Sequence, residues 1–314
     1  MKKKYKYLFG PVPSRRLGIS LGVDLVPHKT CSFNCVYCEC GRTTNLTVTR
    51  KEYVPTQTVL SELNQFLSVK PKLDYITFSG AGEPTLHSGI GKIVRFLKDN
   101  FPFYQIALLT NGSLFYQPTL INEVKAIDLM LPSLDAATEQ IFRKINRSVA
   151  ELKIEAIIGG LAELRSQFNG QIWLEIFIVP GLNDAENEIA QLKKAIRRIK
   201  PDKIQLNTLD RPGTASWVQP ADEQLLETVA TRLDWPTEII AKFKRREQIS
   251  SYNQDIEDAV LQTIRRRPCT MDDLAAVLGL HQNEINKYIE AMLSSHKIRQ
   301  EKMARGIFFK ASRN

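Results

Sequence analysis

The chain has 314 residues, 43% of them hydrophobic and 25% charged, which is enough apolar material for one large domain and a small one and too much for a disordered polymer. No run of eighteen apolar residues occurs, and the start Met1-Lys2-Lys3-Lys4 lacks the apolar stretch of a secretory signal, so a cytoplasmic protein is expected and a membrane span is not. The net charge of +9 favours an anionic partner, and the first sixteen residues hold six bases, Arg15 and Arg16 among them, and no acid.

From Ile19 to Leu233 strands and helices alternate. Apolar runs predict strands over 19–26, 75–79, 105–110, 126–133, 171–179 and 203–207, and amphipathic spacing predicts helices over 58–68, 90–99, 149–167, 186–199 and 221–233. Strict alternation implies a parallel sheet with helices outside, either open or closed into a barrel. The strand at 171–179 sets Ile172, Leu174, Ile176 and Ile178 on one face and Trp173, Glu175 and Phe177 on the other, while Gln205 and Asn207 oppose Ile204 and Leu206 in the next strand. A helix-covered face has no use for a carboxylate, whereas a barrel lumen that holds a polar ligand does. Buried polar residues that simply bond one another are the alternative. The expected fold class is α/β, a partial (β/α)6 TIM-type barrel over residues 1–235.

Beyond Pro236 the rhythm changes. A basic linker over 236–252 carries Lys242, Lys244, Arg245 and Arg246, and helical patterns follow over 256–266, 271–278 and 282–294. Thr270 suits an N-cap, with Asp272 and Asp273 placed on the helix dipole. A basic, hairpin-like tail ends the pattern, so residues 253–314 resemble a winged helix-turn-helix domain.

Four of the five cysteines, Cys31, Cys35, Cys38 and Cys40, fall within ten residues of one loop. In a reducing compartment such a cluster reads as metal ligands, and cysteines so close together rarely reach disulfide geometry. Three thiolates spaced C-x3-C-x2-C suit three irons of a 4Fe-4S cluster and leave one iron open for a ligand. Zinc is the alternative, although a second C-x2-C pair is absent.

At these residues the sequence resembles the radical SAM superfamily, whose hallmark is C-x3-C-x-aromatic-C, with Tyr37 in the aromatic place. The resemblance implies that Cys31, Cys35 and Cys38 hold a 4Fe-4S cluster whose fourth iron is chelated by S-adenosylmethionine (SAM). It implies reductive cleavage of SAM to a 5′-deoxyadenosyl radical that abstracts hydrogen, an oxidoreductase chemistry fed by a donor such as flavodoxin or ferredoxin. Ser79-Gly80-Ala81-Gly82-Glu83-Pro84 is similar to the family's Gly-Gly-Glu-Pro turn, with Ala81 where the first glycine usually stands. Gly82 and Glu83 would meet the cofactor's ammonium. Asn111 in Thr110-Asn111-Gly112, and Ser133 and Asp135 in Ser133-Leu134-Asp135, match positions for its methionyl or ribose groups. Val179-Pro180-Gly181-Leu182-Asn183-Asp184 is like the turn beneath the adenine. Each of these short motifs follows a predicted strand, on the face where such folds build active sites.

The leader Phe9-Gly10-Pro11-Val12-Pro13-Ser14-Arg15-Arg16-Leu17-Gly18 resembles a prokaryotic group of iron-sulfur proteins beside the wyosine synthases and the molybdenum-cofactor enzymes. Wyosine synthases use extra N-terminal cysteines for a second cluster, and none precedes Cys31 here. Cys40 is read as a free thiol near the loop, as a fourth cluster ligand or as a hydrogen donor, and Cys269 as a small buried residue.

Glu175 and Arg211 are the candidate catalytic residues on the substrate side, with Gln205 and Asn207 beside them. From Lys242 to Asn314 there are fourteen bases and nine acids. That excess and the added domain favour a macromolecular substrate, RNA or protein. The rival reading is an iron-sulfur-sensing DNA-binding regulator, although the expected recognition helix, His281 to Lys287, is not notably basic.

Overall fold

Strand β1 (Leu8–Ser14) lies antiparallel to β2 (Gly18–Val23), and the cysteine loop that follows carries a small parallel pair, β3 (Thr30–Cys31) and β4 (Asn45–Leu46). This computed structural model describes residues 5–14, 16–209, 213–240, 254–266, 268–303 and 306–312. Arg15, Arg211, Arg305 and the linker bases Lys242, Lys244, Arg245 and Arg246 lie outside the described residues.

The chain continues through α1 (Thr56–Leu67), β5 (Tyr75–Phe78), α2 (Ile90–Asn100), β6 (Gln105–Thr110), α3 (Pro118–Val124) and β7 (Leu129–Pro132). After α4 (Glu139–Ile145) and α5 (Ile154–Gln167) come β8 (Gln171–Phe177), α6 (Glu186–Ile199), β9 (Lys203–Asn207), α7 (Glu223–Leu233) and β10 (Thr237–Ile239). One sheet runs in the order β1-β2-β5-β6-β7-β8-β9-β10, parallel from β2 onward. Because β1 and β10 are its two ends, the curved sheet is a barrel left open.

The outer face, with Leu21, Ile76, Leu108, Leu174 and Leu206 fully buried, packs under the helices as the main core. The inner face is mixed. Leu17, Ala107, Leu129 and Leu131 form a separate apolar group with Tyr75, Leu109 and Trp173 packed against it. Toward the carboxyl ends of the strands a polar layer replaces it: Ser133 bridges Glu175, Glu175 pairs Gln205, and Gln205 pairs Glu238 in parallel register.

The structure departs from the expected six units at three places. Strand β1 contains Gly10 and Pro11, which read as breakers in sequence yet are tolerated on an edge strand. Strand β10 is three residues long, too short to show alternation, and occupies the start of the expected linker. The segment expected as one helix over 149–167 starts only at Ile154, and the short helices α3 and α4 appear in stretches for which no element is expected.

The C-terminal residues form three helices, α8 (Gln254–Arg266), α9 (Met271–Leu278) and α10 (Gln282–Ser294), followed by an antiparallel hairpin of β11 (Ile298–Met303) and β12 (Gly306–Ala311). Their own core gathers Val260, Ile264, Leu274, Ile285, Ile289 and Phe309 around the fully buried Cys269. Thr270 caps α9 in a reciprocal capping box with Asp273. The start of α10 docks on the barrel: the His281 ring stacks on Phe9 at 4.9 Å, Asn283 Nδ2 donates to Asp24 Oδ2 at 3.2 Å, and Asn286 Nδ2 donates to the Glu39 carbonyl at 3.3 Å.

Candidate active site

The cysteine loop is tied on one side to the turn after β5 and on the other to the end of α4 and the segment after β9. Lys29 N donates to the Ala81 carbonyl at 2.8 Å and Glu83 N to the Thr30 carbonyl at 3.0 Å, which joins the loop to the turn after β5. A Cβ on Gly82 would lie 2.2 Å from the Thr30 oxygen, so only glycine allows this approach. Ala81, by contrast, is buried with its methyl group in place. On the far side Val36 N donates to the Ile145 carbonyl at 2.9 Å, and Thr214 Oγ1 to the Cys35 carbonyl at 2.7 Å.

Cys31, Cys35 and Cys38 are half-buried residues, and each sulfur meets a nitrogen donor: Asn111 Nδ2 lies 3.4 Å from Cys31 Sγ, Asn146 Nδ2 3.5 Å from Cys35 Sγ, and Lys29 Nζ 3.0 Å from Cys38 Sγ. Burial pushes the Cys31 thiol up to about 12 and raises Cys35 well above the ordinary range. Cys38 is lowered to about 5, first by the hydrogen bond from Cys40 and then by Lys29. Burial works against the Lys29 charge, yet the neighbouring Cys38 outweighs it and raises the lysine. Among the described residues no three His, Cys, Asp or Glu side chains close on one metal-ion position. Three separated soft sulfurs, each with a polar contact to its sulfur, match the donor set of an iron-sulfur cluster, in which each iron has its own outer ligand.

Glu83 is 1% exposed and gathers two turns. Its Oε1 accepts from Thr85 N, Thr85 Oγ1 and Thr110 Oγ1 at 3.0, 2.6 and 2.7 Å, and its Oε2 accepts from Asn111 N at 2.7 Å. Burial raises its carboxyl and these bonds oppose the rise. Oε1 is saturated, so Oε2 is the atom left with capacity for a ligand ammonium. The Asn111 side chain, expected to meet cofactor, lines the cleft and donates to Ser32 Oγ at 2.8 Å and to Cys31 Sγ. Ser133 lines the cleft together with Cys31, Gly82, Glu83, Asn111 and Glu175.

Asp135 does not line that cleft. Its Oδ2 accepts from Tyr37 Oη at 2.6 Å and Asn146 Nδ2 at 2.7 Å, and its Oδ1 from Phe177 N at 2.9 Å, with burial pushing its carboxyl up to about 6. Strand β7 ends at Pro132, so alternation no longer dictates where residue 135 points. Tyr37 stacks on Phe177 at 3.8 Å and 8°, and Asn183 closes the turn after β8 on the carbonyls of Asp135 and Phe177.

Glu175 stands at the inner face, where Arg16 Nη1 contacts its Oε2 and Asn207 Nδ2 approaches its Oε1 at 3.4 Å. Gln205 Nε2 reaches Glu238 at 3.2 Å. Arg211, expected beside Glu175, lies outside the described residues. Lys29 and Asn146 belong to the site without a sequence signal, and Arg16, legible only as part of the leader, gives no sign of facing Glu175.

The radical SAM superfamily model matches residues 25–192. A protein of Brachyspira hyodysenteriae named GTPase Obg is 31% identical over 96% of this chain, which spans only 44% of that relative's length. A UPF0026 protein of Methanocaldococcus jannaschii is 31% identical over 86% of this chain and 85% of its own. In fold, the chain is similar to a radical SAM methyltransferase from Sphaerobacter thermophilus at 17% identity, with 72% of this chain and 67% of that one covered and a TM-score of 0.54. No described helix is long and apolar enough to cross a membrane. With the family model covering more than half of its length, the chain belongs to the radical SAM superfamily, enzymes that use a 4Fe-4S cluster and S-adenosylmethionine.

Proposed function

We propose that this enzyme cleaves SAM reductively at the cysteine loop and abstracts hydrogen from an RNA or protein substrate that reaches the open barrel. The observation that carries the reading is the lashing of the Cys31 to Cys38 loop to the Gly82-Glu83 and Asn111 turns at the rim of one cleft. Cys31, Cys35 and Cys38 would hold the cluster, with Cys40 as a hydrogen-bonding neighbour of Cys38. When bound, the cluster supplies the electron that divides SAM into methionine and a 5′-deoxyadenosyl radical. Glu83 Oε2 and Ser133 would receive polar groups of SAM at the cleft wall. Tyr37 and Asp135 serve this reading as positioning residues, since their side chains fix the loop and β8, and Asn111 both fixes the loop and faces the cleft. Glu175 remains on the substrate side, and Arg211, which lies outside the described residues, is kept as a candidate there. The apolar floor beneath the cleft keeps water from the reacting atoms.

The C-terminal helices and hairpin support a winged helix-turn-helix-like unit over 253–314, with the barrel ending after Ile239 rather than at 235. A one-electron donor such as flavodoxin or ferredoxin would feed the cluster. The regulator reading fares worse, because the start of the helix that would read DNA is spent on Phe9, Asp24 and Glu39. Anaerobic reconstitution with dithionite and deuterated RNA or protein fractions tests the proposal. Deuterium should enter 5′-deoxyadenosine from one fraction. Cluster-loaded enzyme that releases no 5′-deoxyadenosine at all would return the regulator to first place.

A further inference from the structure

We propose that Arg16 is the anchor for an oxyanion of the substrate, a carboxylate or a phosphate, at the wall of the cleft. The inference rests on the SAM-cleaving reading of that cleft and adds the chemical class of what lies beside SAM.

Arg16 follows β1 and lines the same cleft as Cys31, Glu83, Ser133 and Glu175, with its side chain 18% exposed. Lys29, a second cation near the cysteine loop, is committed to Cys38. Arg16 uses Nη1 on Glu175, while its Nε and Nη2 have no partner among the described residues. A guanidinium carries five N–H donors in a planar fork, so most of its capacity is unspent. Oxyanions match that fork with two parallel bonds.

A half-buried ion pair returns little net stability, because desolvation offsets the attraction. Stability alone therefore gives little reason for keeping Arg16 and Glu175 together inside a cleft. A receptor site does give one: Glu175 neutralises the guanidinium inside the cleft until an arriving oxyanion competes for it. Glu175 lies in register with Ser133 and Gln205, so the ion pair belongs to the polar layer at the carboxyl ends of the strands.

The test takes the full chain with its cluster rebuilt anaerobically and SAM at saturation, and measures binding of radiolabelled inorganic phosphate and acetate by equilibrium dialysis. Arg16→Gln should lose at least about tenfold in affinity for whichever anion the unaltered protein binds. Glu175→Gln removes the competing carboxylate and should tighten the same anion by about tenfold. Arg16→Lys should keep more of the phosphate than of the acetate response, because a point charge replaces a fork. Tighter phosphate identifies a phosphate ester in the substrate, and tighter acetate a carboxylate. The inference is overturned if the unaltered protein binds neither anion, if Arg16→Gln binds as well as it does, or if Glu175→Gln weakens binding as a purely structural pair would. Binding that vanishes once SAM is added also overturns it, since Arg16 would then serve the methionyl carboxylate. Failure of SAM to bind the rebuilt cluster strikes the SAM-cleaving reading instead, and dialysis without SAM still reports on Arg16.

Discussion

Glu83 holds four donors from two turns on one buried carboxylate, and each of those donors would be stranded without it. Glu83→Gln turns an amide N–H₂ toward groups that themselves donate, and an unsatisfied buried group costs about 1–3 kcal/mol. A urea denaturation series should show the midpoint fall by that much stability, with SAM affinity of the rebuilt protein falling as well. An unchanged midpoint would mean that Glu83 is not the clasp. Gly82 makes a different demand, that of space. Gly82→Ala places a methyl 2.2 Å from the Thr30 oxygen, and backbone rather than a flexible side chain must yield. Iron per chain after reconstitution should drop at least about twofold, because the loop next to Cys31 is pushed away. Full iron loading would show that the loop tolerates the shift.

At the scale of elements, the junction between α10 and the barrel carries its own titration. Burial pushes the Asp24 carboxyl up from 3.8 to about 7, with the Asn283 hydrogen bond opposing, and its Oδ1 has no partner among the described residues. The docked state therefore keeps a proton that a free aspartate releases, and docking strengthens as pH falls from 8 toward 6.5. His281 acts in the opposite sense. Burial first and His28 second push it down from 6.5 to about 4, so below 6.5 the undocked ring takes up a proton that the docked ring refuses. His28, lowered by burial and by Lys29 with Asp272 opposing, adds to that penalty. Hydrogen exchange of α10 amides, corrected for intrinsic rate, should show protection rising from pH 8 to 6.5 and no further gain below. Asp24→Asn should flatten the rise, and a variant that keeps it would assign the titration elsewhere.

The same elements show what sequence made legible. The limits of β6, β9, α6, α9 and α10 coincide with the expected ones, because each apolar pattern runs unbroken to a turn signal. The edge strands were hidden by Pro11 and by brevity. Side chains beyond a strand end escaped for another reason: Asp135 lies three residues past Pro132, and Arg16 lies between β1 and β2, so neither parity nor periodicity governs them.

For the whole molecule there are two cores, and the start of the helix that a winged domain would offer to DNA rests against the barrel and touches the cysteine loop itself at Glu39. That placement suits a unit that presents a substrate to the barrel better than one that reads a duplex. Whether the cleft performs radical chemistry turns on the coordination at the cluster. Electron-nuclear double resonance of the reduced, reconstituted protein with SAM labelled by 15N at its amino group and 17O at its carboxylate tests this directly. The account predicts hyperfine coupling of both nuclei to the cluster. A spectrum that labelled SAM leaves unchanged, from protein carrying a full complement of iron and sulfide, would contradict it.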